Sequence, residues 1–241
     1  MALDLGRAQT EDEIGVQAVR GGDVVGDLDP DVLFYLTLYN ENYPMPALPD
    51  GRDAEFEAGA VRGLYRFADA TEGPSKRATI LFSGVAHAAA RAAAVELAEH
   101  YDVAAELWSA TSYKKLREEA LAAERHNRLH PSAERHVPLV TQLLSESQGP
   151  ITAVTDFMTL VPEQIGRFVP AGRPFHVLGT DGMGRSDTRE SLRRFFEVDA
   201  GHVVVATLTG LLDAGQIDAS VVEDAIRRYD IDPDAVDPFV V

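Results

Sequence analysis

Four short apolar runs that alternate with helical patterns constrain the fold of this chain more than any other feature. The first run, 78–82, is continuous and apolar, as in a parallel strand that is buried on both faces. Later runs at 103–108, 151–155 and 175–178 have the same character, and each follows a helical segment. Strands that alternate with helices build parallel strand-helix-strand units. The sequence therefore predicts an α/β fold, a three-layer sandwich with a mainly parallel sheet and helices on both faces.

Capping residues, prolines and glycines set the predicted helix boundaries. Ser112 is expected to cap a long helix over 113–128. Ser186 or Asp187 is expected to cap a helix over 188–196. The remaining predicted elements are helices over 87–100, 137–144, 160–168, 200–213 and 218–229, and an extended tail over 230–241.

Apolar patterning divides the chain into three parts. Residues 1–28 are rich in Gly, Asp and Glu without a sustained apolar period, and form a poorly defined N-terminal extension. Residues 29–76 hold a leading strand and a linker segment, and 77–241 form the α/β domain. Within the linker, a short helix over 57–64 and a strand at 65–67 are predicted.

Composition disfavours several classes of function. The 241-residue chain has a net charge of −17, and phosphate binding requires a basic patch, so nucleic acid is not an expected partner. The absence of cysteine excludes disulfides and thiolate metal sites. No apolar run approaches the roughly 20 residues that span a bilayer, and the N-terminus lacks the basic and apolar parts of a signal peptide. These features predict a cytoplasmic protein without a membrane partner.

An aromatic, apolar run at 33–39 is predicted to be a strand that ends in a polar cluster. The cluster consists of Asn40, Glu41, Asn42 and Tyr43. Pro44 and Pro46 then end the strand and force an extended exit, so the cluster lies at a stiff strand-to-loop junction. We take the cluster as the candidate catalytic site, although polar residues that merely end a strand would give the same pattern.

Two other motifs have simpler explanations than a cofactor or metal site. Gly182 and Gly184 follow a strand, but a dinucleotide site needs three glycines at the first strand-turn-helix unit. A tight turn that passes close to neighbouring structure is predicted instead, with Arg185 and Asp187 in local hydrogen bonds or a subunit contact. His126, His130 and His136 lack the partners of a metal site. His126 and His130 are predicted to lie at the C-terminal end of a helix, where a cationic imidazole is favourable. The sequence contains no Gly-x-Ser-x-Gly elbow, so a hydrolase is not expected.

Five stretches together carry a family signature. They are 33–51, 61–67, 124–131, 155–158 and 178–199. The last reads Leu-Gly-Thr-Asp-Gly-Met-Gly-Arg-Ser-Asp-Thr-Arg-Glu-Ser-Leu and continues to Phe-Glu-Val-Asp. Taken together, the stretches resemble the C-terminal domain of the homodimeric, bacterial type of pyruvate dehydrogenase, the thiamine-diphosphate-dependent component that decarboxylates pyruvate. The resemblance covers about residues 30–238.

The resemblance implies roles for residues outside the strand exit. They are His126 and His130 at the substrate entrance, and Asp181, Arg185 and Asp187 at a subunit contact near the active site. The polar cluster itself is placed beside the active-site funnel. In well-known relatives a histidine that faces the active centre follows the tyrosine, whereas this chain has Pro44, which cannot donate a proton. That departure leaves the substrate open.

Thiamine diphosphate and magnesium are the cofactors that the resemblance implies. Enzymes of this kind hold them through a Gly-Asp-Gly motif and a downstream Asn. Residues 180–184 read Thr-Asp-Gly-Met-Gly, and no Asn follows them. We therefore expect partner chains, rather than this chain, to bind the cofactors.

These implications favour the C-terminal subunit of a split, thiamine-diphosphate-dependent two-carbon-transfer enzyme, which closes the active site and builds the subunit interface. A split gene is favoured over an excised fragment because Met1 opens an unrelated lead. Expected partners are companion subunits with the cofactor-binding domains, and a lipoyl or acyl carrier protein, in a homo- or hetero-oligomer. Two alternatives stay open: transketolase-like ketol transfer to a carrier-protein arm, and a non-catalytic, stand-alone α/β binding module.

Apolar residues near the C-terminus predict where such an interface lies. The segments 188–196 and 200–213 carry more apolar surface than one sheet face covers. The residues concerned are Leu192, Phe195, Phe196, Val203, Val204 and Val205. The sequence therefore predicts self-association, or association with a partner, through this face.

Overall fold

The computed structural model describes residues 42–44 and 53–240. The chain divides into two compact units, Met1–Val61 and Arg62–Val241. In the first unit, the described residues are 42–44, which have no regular structure, and most of the helix α1 (Asp53–Arg62). The second unit holds the sheet and the other described helices.

Five strands form the sheet of the second unit, and four of them lie at the predicted apolar runs. They are β1 (Leu64–Ala68), β2 (Lys76–Phe82), β3 (Val103–Ala110), β4 (Ile151–Val154) and β5 (Phe175–Leu178). Their order is β1-β3-β2-β4-β5. The strand β1 is antiparallel to β3, whereas the other three pairings are parallel. The predicted mainly parallel sheet is confirmed, and the strand-like run at 65–67 forms its antiparallel edge.

Seven helices accompany the sheet in the described part of the second unit. They are α2 (His87–Tyr101), α3 (Tyr113–Leu129), α4 (Leu139–Ser145), α5 (Leu160–Glu163), α6 (Arg189–Phe195), α7 (Ala200–Asp213) and α8 (Ala219–Arg228). Short 3₁₀ turns cover Gly84–Ala86, Gly166–Phe168 and Pro238–Val240. The predicted cap of α3 is confirmed, because the Ser112 hydroxyl accepts the N–H of Lys115 at 3.2 Å.

Side chains of β2 alternate between two apolar cores. Ile80 and Phe82 belong to the core that includes residues of α2, α7 and α8, whereas Leu81 belongs to the core with α3 and α4. All three side chains are buried. A strand that is buried on both faces needs helices on both sides of the sheet. The predicted three-layer α/β fold is therefore confirmed.

A partly buried guanidinium ties the start of β5 to the end of α4. Arg173 donates hydrogen bonds to four carbonyl groups and two hydroxyl groups. The carbonyl acceptors are Leu144, Ser147, Gln148 and Gly149, and the hydroxyl acceptors are Ser147 and Thr79, at 2.5 to 3.3 Å. Burial lowers the pKa of Arg173 to about 10, so the side chain stays charged at neutral pH. Arg173 thus satisfies carbonyl groups that the end of a helix leaves without partners.

The predicted helix over 160–168 is wrong. The helix α5 ends at Glu163, and a separate 3₁₀ turn covers Gly166–Phe168. Gly166 explains the break, because glycine has a low helix propensity, whereas Pro162 lies in the first turn of α5, where proline is tolerated. The predicted extended tail is also wrong. It passes through turns into the 3₁₀ turn Pro238–Val240.

The cap of α6 differs from the prediction by one or two residues. The Thr188 hydroxyl accepts the N–H of Ser191 at 3.2 Å, which makes Thr188 the cap instead of Ser186 or Asp187. The Asp187 carboxylate accepts the N–H of Thr188 at 2.6 Å. Asp187 therefore stabilises the turn before the helix and does not cap the helix itself.

The segment Arg189–Asp213 is long and apolar enough to cross a membrane by length and composition, since its most apolar 18-residue stretch has a mean hydropathy of 1.4. The helical structure is interrupted between α6 and α7, where Glu197 has a left-handed backbone with a φ of 58°. Val203 and Val204 of α7 are fully buried in the core, which makes α7 a core helix. The prediction that these two valines lie at a subunit interface is wrong, because the chain's own sheet covers them. Leu192 of α6 is partly buried.

Candidate functional site

The strand order places a crevice at one end of the sheet. From β2 the chain crosses to β3 on one side, and it later forms β4 and β5 on the other side of β2. In open α/β sheets, ligands bind outside the carboxyl ends of the strands, at the point where the strand order reverses. Here that point lies between the ends of β2 and β4.

A cleft of about 1120 Å³ lies at this point. The N-terminal part of α2 lines it together with residues that follow β4 and β5 and residues of α6 and α7. Its charged lining consists of Arg185, Arg193, Arg194, Asp156, Glu190 and Asp199. We call this region the cleft and take it as the candidate functional site of the second unit.

Hydroxyl groups tie the strand ends together beside the cleft. Ser83 and Thr155 follow β2 and β4, and their hydroxyl oxygens lie 2.6 Å apart in a buried position. Thr180 follows β5 and donates its hydroxyl to the Asp156 carbonyl at 2.8 Å. Its N–H donates to the Phe157 carbonyl at 2.9 Å. These bonds hold the loops that form the cleft in fixed positions.

The loop after β5 is anchored on both sides. Both carboxylate oxygens of Asp181 accept the N–H of Thr159, at 3.2 and 3.3 Å, which ties this loop to the loop after β4. A Cβ on Gly182, whose φ is 94°, would lie 2.0 Å from the Pro238 carbonyl oxygen. The predicted close passage is therefore confirmed for Gly182. It is wrong for Gly184, because no described atom lies within 4 Å of its Cβ position.

Of the predicted contact residues in this loop, Arg185 reaches the cleft lining and Asp187 does not. The Arg185 guanidinium carbon lies 4.6 Å from the centre of the Phe195 ring. Such a position over an aromatic face favours a cation. The Arg185 side chain is exposed and available to further groups.

A charged cluster lies at the N-terminus of α7. Asp199 accepts hydrogen bonds from Arg194 at 3.1 Å and from the His202 ring and backbone at 2.8 and 3.0 Å. Arg194 also donates to the carbonyl oxygens of Tyr229, at 2.5 Å, and Asp230. Burial alone would raise the pKa of Asp199, but the bonds from His202 and Arg194 outweigh it and hold the pKa at about 2. Arg194 and Asp199 are thus paired within the chain.

The Asp199 cluster predicts a pH dependence of stability. Because its folded-state pKa lies below the ordinary value of 3.8, ionised Asp199 stabilises the fold above pH 4, and this contribution is lost as the pH falls towards 2. The pKa difference corresponds to about 2 kcal/mol at neutral pH. We expect Asp199→Asn, which keeps a capping side chain, to lower the free energy of unfolding by about that amount at pH 6, with the difference shrinking below pH 4. Urea unfolding at several pH values measures it, and a difference that does not change with pH would contradict the assignment.

Three histidines stack at the C-terminal end of α3. The His126 ring lies 3.7 Å from the His136 ring centre and 4.6 Å from that of His130. Desolvation lowers the pKa of His126, and the two neighbouring imidazoles lower it further. A cationic His126 is therefore disfavoured, contrary to the prediction from the helix end. The described lining of the cleft does not include His126 or His130, and their role at a substrate entrance stays a prediction.

The polar cluster of the predicted strand exit lies partly outside the described residues. Asn40 and Glu41 are not described. Asn42 is exposed and Tyr43 is partly buried, in a segment without regular structure. The catalytic role of these four residues stays a prediction.

Two features of the cleft escaped the sequence analysis. The hydroxyl groups of Thr155 and Thr180 follow predicted parallel strands, so their positions at the sheet edge could have been read from the pattern. Asp199 could have been recognised as a helix cap. Its pairing with Arg194 depends on the left-handed turn at Glu197, for which the sequence carries no clear signal.

Comparison with known proteins gives matches along most of the chain. A protein-family model described as "Transketolase-like TK C-terminal domain" matches residues 63–199. The pyruvate dehydrogenase E1 component of Mycolicibacterium smegmatis is 46% identical over 220 residues, which is 91% of this chain and 23% of that protein. The E1 component of Escherichia coli K12 is 43% identical over 213 residues, or 88% of this chain and 23% of that protein.

Solved structures match less closely. A split-gene transketolase, described as an inactive β4 tetramer, has a TM-score of 0.43 and 18% identity over 62% of this chain and 42% of that chain. The sequence matches confirm the family resemblance identified from the motifs. The chain spans 23% of the length of these curated relatives.

Proposed function

Because the chain belongs to the family of transketolase-like C-terminal domains, we propose that it is the C-terminal subunit of a split, thiamine-diphosphate-dependent enzyme that transfers two-carbon units. The single observation that carries the proposal is the 46% identity to a pyruvate dehydrogenase E1 component over 91% of the chain. The chain corresponds to 23% of that protein, so companion chains would supply the remaining domains. The acceptor of the two-carbon unit would be a lipoyl or acyl carrier protein.

The cofactor belongs on the companion chains in this proposal. In the loop after β5, the Asp181 carboxylate already accepts the Thr159 N–H, and Gly182 lies against the Pro238 carbonyl. Among residues 42–44 and 53–240, no group of three His, Asp or Glu side chains is placed to hold a metal ion. The described residues therefore do not fit magnesium and a diphosphate. Thiamine diphosphate would supply the carbanion chemistry from its site on another chain.

An exposed apolar surface supports a role in assembly. It consists of Phe157, Met158, Leu160, Met183, Phe239 and Val240, and we call it the apolar patch. These side chains are 50 to 73% exposed. Their three segments are held together, because the Thr180 N–H binds the Phe157 carbonyl and Gly182 abuts Pro238. Contiguous apolar patches mark interaction sites, so the patch is where a companion chain would cover this unit.

Pro44 favours a second candidate function. It is exposed, and it stands where the family resemblance implies a histidine that faces the active centre. Proline has no proton to donate, so an acid–base step at this position is lost. Transketolase-like transfer of a ketol unit to a carrier-protein arm is therefore the alternative to pyruvate decarboxylation.

Cofactor binding tests the proposed division of labour. We expect the isolated chain to bind thiamine diphosphate and Mg²⁺ negligibly, and the complex co-expressed with chains that carry the cofactor-binding domains to bind both. Titration calorimetry on the two samples measures the difference. Micromolar binding to the isolated chain would contradict the assignment of the cofactor to partners. Failure to assemble with any such chain would leave the stand-alone binding module as the function.

Turnover tests the polar cluster. In the assembled complex, we expect Tyr43→Phe and Asn40→Ala to lower turnover about 10- to 1000-fold, the usual cost of losing one transition-state hydrogen bond. Tyr65→Phe, which removes a tyrosine hydroxyl from β1, is the matched control and should leave turnover unchanged. Melting temperatures of all variants are recorded in parallel. Losses of turnover that merely follow losses of stability would assign the cluster a structural role only.

A further inference from the structure

The cleft has the size and position of a small-molecule site. Its volume of about 1120 Å³ is slightly above the usual range of ligand pockets, roughly 300–1,000 Å³. It opens where the strand order reverses, which is where open α/β sheets bind ligands. The proposed function leaves this volume unused, because the catalytic cofactor is assigned to other chains.

The walls of the cleft suit a flat or apolar molecule. Ala86, Ala89 and Ala92 lie three residues apart and present one face of the α2 region to the cleft. Tyr229 and Phe196 also line the cleft and add aromatic surface. Small side chains on one element and aromatic rings on others favour contact with a planar, apolar body.

Three arginines line the cleft, and Arg185 is the one considered as a ligand contact, because Arg193 and Arg194 both have interactions within the protein. Arg194 forms an ion pair with Asp199, so these two charges offset each other. Arg185 is exposed, contacts the Phe195 ring, and forms no ion pair with another described residue. The chain as a whole carries a net charge of −17, so an accessible guanidinium in the cleft provides a local positive charge on an otherwise acidic protein. Guanidinium groups bind carboxylates and phosphates in a two-point geometry.

Acidic groups limit where an anion can sit. Asp156 and Glu190 also border the cleft and would repel an anionic group placed beside them. The favourable position is therefore at Arg185, with the rest of the ligand along the alanines of α2. We propose that the cleft binds a small organic anion with a flat, largely apolar body, with Arg185 as the contact for the anionic group.

Three probes with one common body test this inference on the full chain. They are naphthyl phosphate, naphthoate and naphthalenemethanol, which carry a phosphate, a carboxylate and no charge. Binding is followed by two-dimensional amide NMR, which also locates the site through shifts at Gly182, Gly184 and Gly201. We expect at least one anionic probe to bind about fivefold or more tightly than the neutral probe, and the two anions together identify the preferred group.

Variants separate the head group from the body. Arg185→Gln should remove the preference for the anionic probe, and Arg185→Lys should retain part of it. Ala92→Phe places a ring in the cleft, at an exposed lining position, and should weaken the binding of all three probes. Arg91→Gln is the matched control, since Arg91 lies next to Ala92 on α2 but is not part of the lining. Shifts outside the cleft, equal binding of charged and neutral probes, or no binding of any probe would overturn the inference. None of these outcomes depends on companion chains or on turnover.

Discussion

Gly149→Ala should destabilise the second unit by at least about 4 kcal/mol or prevent its folding, the range of severe core defects. Gly149 has a φ of 72°, and a Cβ at this position would lie 1.7 Å from the Arg77 carbonyl oxygen and 2.6 Å from its carbon. The backbone of Arg77 cannot move away freely, because β2 pairs with β3 at this register. The carbonyl of Gly149 is also held by Arg173 at 2.5 Å. Any shift that relieves the clash therefore breaks other bonds.

Gly172→Ala is the matched control for this substitution. Gly172 has a φ of 79°, but no described atom lies within 4 Å of its Cβ position, so only the left-handed backbone is penalised. The expected loss is about 1 kcal/mol. Urea unfolding followed by the fluorescence of Trp108, the single, buried tryptophan, measures both variants. Insoluble Gly149→Ala beside soluble Gly172→Ala would count as the expected result, whereas equal losses would show that the close approach at Arg77 is not rigid.

Phe157→Asp and Met183→Asp should each weaken association with the companion chains at least about 100-fold. Both side chains belong to the apolar patch and are 52 and 73% exposed, so the isolated chain tolerates the change. In the complex, the new carboxylate would lose its hydration without gaining a partner, which costs several kcal/mol. Met183 and Phe157 lie on different loops, so agreement between the two variants would assign the whole patch to one interface.

Val95→Asp is the control for the apolar patch. Val95 is 54% exposed on α2 and is not part of the patch. It introduces the same charge at a similar exposure, and should leave association unchanged. Sedimentation velocity with and without the companion chains measures all three variants. If Val95→Asp weakens assembly as much as the patch variants do, net charge rather than the apolar patch governs association.

The layers and strand positions of this fold could be predicted because apolar runs such as 78–82 are buried on both sides, a pattern that few other structures produce. The helix α7 was located to the residue by its stripe of apolar side chains, and the strand β5 by its short apolar run. The exact positions of helix ends and caps were harder to predict. The break after Glu163 and the cap at Thr188 each depend on small energy differences between neighbouring residues.

The candidate site was only partly readable, because it is assembled from distant segments. Sequence motifs identified the loop with Asp181 and Arg185, and that loop does border the cleft. They could not show that Val203 and Val204 are covered by the sheet, since an apolar helix face looks alike in a core and at an interface. The exposed apolar patch consists of side chains from three separate segments, which carry no periodic signal.

The antiparallel strand β1 has a consequence for how this unit can be isolated. It covers one edge of β3, where Leu64 pairs with Ala110 and Arg66 with Trp108. A fragment that begins at residue 77 would lack β1 and leave the N–H and C=O groups of β3 open along a buried, apolar strand. Such an edge is a template for strands of other molecules. Residues 62–68 thus cover the edge of the sheet and protect it from aggregation, so a soluble fragment of this unit has to retain them.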